Sequence, residues 1–168
     1  MKRKLICAAG ILLLAAAGVL LYYVCRDTDE KQLRRMLDEL CEIVSKSSGE
    51  NPAVSGLKAN RADKVFANRC DIRFGRFFFN GTYTPTEIGA NIMRFKGLFK
   101  EIDVSYSELV LAISDKRAKL FFTGRCVGVP KNNPGEKTEE IRDLNGLAQK
   151  GENGWRIIAL DIVKVLEK

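Results

Sequence analysis

A chain of 168 residues, 46% hydrophobic and 29% charged, carries one globular domain plus an appendage and is too apolar to be disordered. Its net charge of +7 includes Lys2, Arg3 and Lys4; beyond them, 25 basic residues spread among 21 acidic ones, with no Arg/Lys cluster interleaved with aromatics, so nucleic acid is not an expected partner. The chain has no histidine, which removes His–Asp dyads, the common catalytic triads and His-containing metal sites.

Leu5 to Cys25, LICAAGILLLAAAGVLLYYVC, is 21 residues without a charge. As a helix it spans about 30 Å, one hydrocarbon core. The sequence thus divides into a basic cytoplasmic start (1–4), a single-pass transmembrane anchor (5–25) and a domain (26–168). Lys2, Arg3 and Lys4 keep the amino terminus cytoplasmic and send the domain across the membrane, to the periplasmic side of a bacterial inner membrane, with Tyr22 and Tyr23 at the far interface. A cleaved leader or a lipoprotein is the competing reading. The run ends in Leu-Leu-Tyr-Tyr-Val-Cys, which offers no small-x-small cleavage site.

From Thr28 to about Ser47 an amphipathic helix turns Leu33, Met36, Leu37, Leu40, Cys41, Ile43 and Val44 to one side, with Thr28 or Asp27 as cap. Ser48 to Gly56 reads as a loop, and Leu57 to Arg69 as a second helix with Leu57, Ala62, Val65, Phe66 and Cys70 inward. Asp71 to Thr84 reads as a hairpin turning at Asn80-Gly81, between Phe77-Phe78-Phe79 and Thr82-Tyr83-Thr84. Thr84, Pro85 and Glu87 then open a third helix over Thr86 to Lys100. Two strands, Ile102 to Ser114 and Ala118 to Val127, flank an Asp115-Lys116 turn. The loop Val129 to Lys137 leads to a last hairpin, Glu139 to Leu166, turning at Asn153-Gly154. Its second strand is apolar on both faces, which places it inside the sheet.

This order, with PTEIGANIMRFKGLFKEIDVSYSEL, DKRAKLFFTGRCVG and above all ENGWRIIALDIVKVL, resembles the nuclear transport factor 2-like (cystatin-like, SnoaL-like) superfamily over about Asp29 to Leu166. The resemblance implies an α+β fold, a curved antiparallel sheet packed on about three helices as a cone with a conical pocket. It also implies that a homodimer through the open sheet face is common. The superfamily includes dehydratases, isomerases and polyketide cyclases as well as transport receptors and secretion scaffolds, so the fold leaves function open. The layout of anchor and external domain also resembles type IV secretion inner-membrane assembly proteins, without their longer cytoplasmic tail.

Enzymes of the superfamily work with an Asp, His or Tyr in the cavity. Here Asp71, Asp143 and Asp161 are the carboxylates of the strands and Tyr83 and Tyr106 the hydroxyls. Strict alternation gives Asp161 the face of Trp155, Ile157 and Ala159, making it the single catalytic candidate. Trp155, Asp161, Tyr106, Phe122 and Asp143 are the candidate pocket residues. The bland alternative leaves Asp161 on the solvent side or paired with Arg125 or Arg142. Cys41, Cys70 and Cys126 form no CxxC or ligand-like spacing and read as free core thiols, with a disulfide open if two of them meet; no metal or cofactor is expected. The favoured function is a noncatalytic, membrane-tethered module that binds a partner protein or a small apolar ligand in its cone. A SnoaL-like hydrolase, isomerase or dehydratase is the alternative.

Overall fold

The computed structural model describes residues 28–74 and 80–163. The basic start, the run Leu5–Cys25 and the strand expected at Phe77–Phe79 lie outside the described residues. Among the described residues no helix is long and apolar enough to cross a membrane.

Helix α1 spans Asp29–Val44. Thr28 caps it, its hydroxyl accepting from the Lys31 amide at 3.3 Å, and Asp29 and Glu30 lie at the positive end of the helix dipole. The apolar stripe buries Leu33, Met36, Leu37 and Ile43. Helix α2, Pro52–Asn60, begins five residues before the sequence pattern suggests: Asn51 caps it, its side chain accepting from the Ala53 amide at 2.9 Å, and Pro52 takes the first helical position. Reading Pro52 as a loop residue is therefore corrected. So is the inward Leu57, which is 67% exposed. The chain bends at Arg61 into the single turn α3, Ala62–Val65. Arg61 fixes this corner by donating to Glu39 and to both carboxylate oxygens of Glu42, at 3.0 and 2.8 Å, so part of the charged stripe of α1 holds a neighbour instead of facing only water.

Strand β1, Phe66–Arg73, takes residues the periodicity assigns to a helix, and Cys70 lies within it, fully buried. Strand β2, Asn80–Tyr83, pairs with it antiparallel from Arg73↔Asn80 to Cys70↔Tyr83. Asn80-Gly81 thus starts a strand and is not the hairpin turn. Helix α4, Pro85–Gly97, opens with the expected capping box between Thr84 and Glu87. It crosses α2 at Gly89, where a Cβ would stand 2.8 Å from the Ala59 carbonyl oxygen, so only glycine permits this approach.

Strands β3 (Phe99–Ser114), β4 (Arg117–Pro130), β5 (Thr138–Gly151) and β6 (Gly154–Ile162) form an antiparallel meander. The sheet order is β2-β1-β6-β5-β4-β3, with β6 inside the sheet as its two apolar faces require, and with β1 and β6 parallel. In the last hairpin the positive φ falls on Gly154 (95°) alone, just after the two-residue turn Glu152-Asn153. Bulges bend the long strands: β3 at Glu108, where φ is 53°, and β6 at Ile158, between the pairs Ala148↔Ile157 and Leu147↔Ala159. The sheet curls over α1, and Leu33, Leu37, Val65, Leu120, Phe122, Trp155, Ile157 and Leu160 fill the space between, several of them with no exposed surface. Each such side chain contributes about 1.5–3 kcal/mol of burial.

Candidate functional site

The register decides which face each candidate side chain takes. Leu120↔Gly146↔Leu160 and Phe122↔Leu144↔Ile162 run across β4, β5 and β6 on the inner face. Phe121↔Asn145↔Asp161 and the pair Thr123↔Asp143 run on the outer face. The bulge at Ile158 inserts one residue into β6 and reverses its alternation. Trp155 and Ile157 point inward before it, and Leu160 inward after it, so Asp161 points out. The expectation that Asp161 shares the face of Trp155 is corrected. Among the described residues it pairs with Arg73, 4.0 Å away, and not with Arg125 or Arg142. Asp143 is exposed on the same outer face and accepts a hydrogen bond from the Thr123 hydroxyl at 2.8 Å. Neither carboxylate reaches the cone. Asp71 is also exposed and accepts from Thr82 at 2.5 Å.

The remaining three candidates do come together with the core. Trp155 is 3% exposed and donates its indole N–H to Asp29 Oδ1 at 3.0 Å, tying the last hairpin to the start of α1. Phe122 is buried, and Tyr106 meets it edge-on with ring centroids 6.2 Å apart. The Tyr106 hydroxyl donates to Asp38 Oδ1 at 3.0 Å. Burial first, and then this bond to a carboxylate, push the phenol up to about 12, so it stays a protonated donor. Asp38, on the polar side of α1, is the partner that sequence reasoning missed. It lies ten residues into a helix and 68 residues from Tyr106, so no local pattern joins them.

The thiols are core groups. Cys41, Cys70 and Cys126 are free. Burial raises Cys41 to about 11 and Cys70 to about 12, with Asp38 and Asp71 respectively adding to the effect, and burial followed by Glu140 raises Cys126. None is poised as a thiolate. Among the described residues no three Cys, Asp or Glu side chains converge as a metal site would require.

An opening does exist, at the end of the sheet away from the hairpin turns. A cleft of about 300 Å³ lies between α4 and the ends of β3, β4 and β5, lined by Phe95, Phe99, Cys126, Gly128, Thr138 and Arg142 among others. Phe95 and Phe99 pack with centroids 5.1 Å apart. Phe99 packs against Gly128, where a Cβ would be 2.7 Å from its ring, so the glycine makes room for the aromatic wall. Thr138 donates to the Gly128 carbonyl at 3.2 Å, and the ion pair Arg142–Glu140, at 2.7 Å, supplies a polar rim.

Beneath this end is a buried ionic cluster. Lys96 is 1% exposed; its ammonium donates to the Ile43 carbonyl at 3.1 Å and faces Glu50 at 3.2 Å. Glu50 also accepts from the Ser55 hydroxyl and from Lys58 at 2.6 Å. Burial alone raises the Glu50 carboxyl, but the hydrogen bonds from Lys58, Ser55 and Lys96 outweigh it and bring it to about 2. Lys46 donates to the carbonyls of Lys96 and Phe99, at 3.0 and 2.7 Å, and so fixes the turn from α4 into β3 that carries the aromatic wall. A second groove, about 440 Å³, runs along α4 past Tyr83, Glu87, Ala90, Asn91 and Arg94. Glu87 there is committed to the helix cap and Arg94 to Asn91.

No family model matches this chain, and no curated protein does. Solved structures do. The Kfla4162 protein from Kribbella flavida aligns with a TM-score of 0.68 at 16% identity, over 82% of this chain and 90% of that one. A nuclear transport factor 2-like superfamily protein from Salmonella enterica aligns at 0.64 and 12% identity, over 83% and 93%. A type 2 hexachlorocyclohexane dehydrochlorinase aligns at 0.61 and 10%, over 80% and 83%. Identities this low show the fold and leave the activity open.

Proposed function

We propose that this chain, a nuclear transport factor 2-like fold, is a membrane-tethered, noncatalytic binding module that receives an apolar group of a partner protein or small molecule in the cleft at the open end of its sheet. The observation that carries this reading is the division of the inner face. Leu33, Leu37, Leu120 and Ile157 leave the middle of the cone filled, while Phe95, Phe99 and Gly128 leave its end open. Aromatic walls around a cleft of about 300 Å³, with an ion pair at the rim, are the anatomy of a pocket for an anchoring side chain or a small ligand. The carboxylates expected to do chemistry face away from it. The run Leu5–Cys25 supplies the tether, with the domain on the extracytoplasmic side. A homodimer belongs to this proposal as well. Val110 and Phe121 pair across β3 and β4 on the outer face, 61% and 43% exposed, and offer an apolar centre for a second copy.

Photo-crosslinking in native membranes tests both parts. A benzoylphenylalanine at Ile141, which borders the cleft and is 51% exposed, is expected to give an adduct with a different molecule, lost on Gly128→Val. The same probe at Val110 is expected to give an adduct of twice the chain mass. An Ile141 adduct that persists in Gly128→Val contradicts the cleft reading, and a Val110 adduct that is not a dimer contradicts the homodimer.

A further inference from the structure

We infer that the domain stands on the membrane in one orientation, with the β3–β4 hairpin pressed against anionic phospholipid headgroups and the open cleft pointing away. The inference rests on the tether proposed above and adds the surface that faces it. Only Arg26 and Asp27 separate the uncharged run from the cap Thr28. Three Cα–Cα steps reach about 11 Å at most, and the headgroup layer itself is roughly 5–8 Å deep on each side of the hydrocarbon. The start of α1 therefore lies within reach of the headgroups whatever path those two residues take.

The start of α1 cannot swing away from the sheet. Asp29 Oδ1 accepts from the Lys150 ammonium at 2.6 Å and from the Trp155 indole at 3.0 Å, which fixes it to the β5–β6 hairpin. The Lys150 amide in turn donates to the Lys116 carbonyl at 2.8 Å, which places the β3–β4 turn beside it. Both hairpin turns and the tethered helix start thus share one end of the domain. On the β3–β4 hairpin Lys116, Arg117 and Lys119 are exposed against the single acid Asp115. That excess suits a negatively charged lipid surface. Strand β4 then runs from Arg117 past Gly128 to Pro130. At about 3.3 Å per residue the cleft lies some 35 Å along the strand from the hairpin. A soluble partner can reach it there without touching the bilayer.

The unmodified full chain tests this in lipid nanodiscs, by the rate at which a water-soluble acylating reagent modifies individual lysines, read by mass spectrometry. Lys131 and Lys137, exposed at the cleft end, serve as internal references for Lys116 and Lys119. In phosphatidylglycerol discs Lys116 and Lys119 are expected to react about fivefold more slowly than Lys131, with weaker protection in phosphatidylcholine discs. Equal rates at the two ends, or protection of Lys131 and Lys137 instead, overturn the orientation. Equal protection of Lys116 in both lipids overturns the role of anionic headgroups. Alkaline carbonate extraction separates this from failure of the tether: a chain washed out of membranes refutes the anchor, whereas a retained chain with equal lysine rates refutes only the orientation.

Discussion

The two ends of the sheet solve the same problem in opposite ways. At the hairpin end Ala118, Ala148, Trp155 and Ile157 are buried, and the one indole N–H finds Asp29. At the other end Phe99 stands against Gly128 and, with Phe95, borders open space, and the support beneath them is ionic: Lys96, Glu50, Lys58 and Lys46. A dry end carries stability through area. A binding end needs its walls held without filling the room between them, and buried polar bonds to backbone carbonyls do that by geometry.

Removing one half of the buried pair should break this contrast most. Glu50→Gln leaves the Lys96 ammonium in the core without its carboxylate and is expected to cost about 3–5 kcal/mol, measured by denaturant unfolding. Lys96→Met, which keeps the volume and leaves Glu50 with Lys58 and Ser55, should cost clearly less. Acid titration tests the same cluster. The Glu50 carboxyl at about 2 lies below its unfolded value near 4.3, so its contribution is present above about pH 5 and is lost as pH falls toward 2. That contribution is on the order of 3 kcal/mol, and the acid unfolding limb should flatten in Glu50→Gln.

At the dry end, Trp155→Phe keeps a ring in the core but leaves Asp29 without its indole donor. A loss of about 1–2 kcal/mol is expected, seen as a midpoint lower by several degrees. Smallest of all should be Asp161→Asn on the outer face. Its ion-pair partner among the described residues, Arg73, is 4.0 Å away and both side chains are substantially exposed, so stability should change by under about 0.5 kcal/mol.

The contrast between the ends also marks what could be read from the residues. The meander, the interior position of β6, the Thr84–Glu87 capping box and the apolar stripe of α1 were legible, because each rests on a local period or a cap. The face of Asp161 was not. One inserted residue at Ile158 reverses the alternation, and nothing in Trp155-Arg156-Ile157-Ile158-Ala159 marks a bulge, which only pairing with β5 and β1 imposes. The boundary at Phe66 was hidden for a similar reason: Val65, Phe66 and Cys70 fit a helical stripe as well as a strand until β6 supplies a partner. Lys96 gave no signal as a buried residue, since its partners Ile43 and Glu50 arrive from 53 and 46 positions away. Of the five residues expected to line a pocket, Trp155, Tyr106 and Phe122 lie with the core, Asp143 and Asp161 lie on the outer face, and the open space is at Phe99 and Gly128.

The most direct test of the account is a thermal-midpoint series on the full chain in nanodiscs against a panel of aromatic and aliphatic acids and amides. Ligand bound to the folded state raises the midpoint by mass action, so no activity is needed to detect it. A rise that disappears in Gly128→Val and survives in Tyr106→Phe and Asp161→Asn is the predicted result. A rise that survives Gly128→Val but disappears in Tyr106→Phe would place the ligand in the cone beside Asp38 and contradict the account.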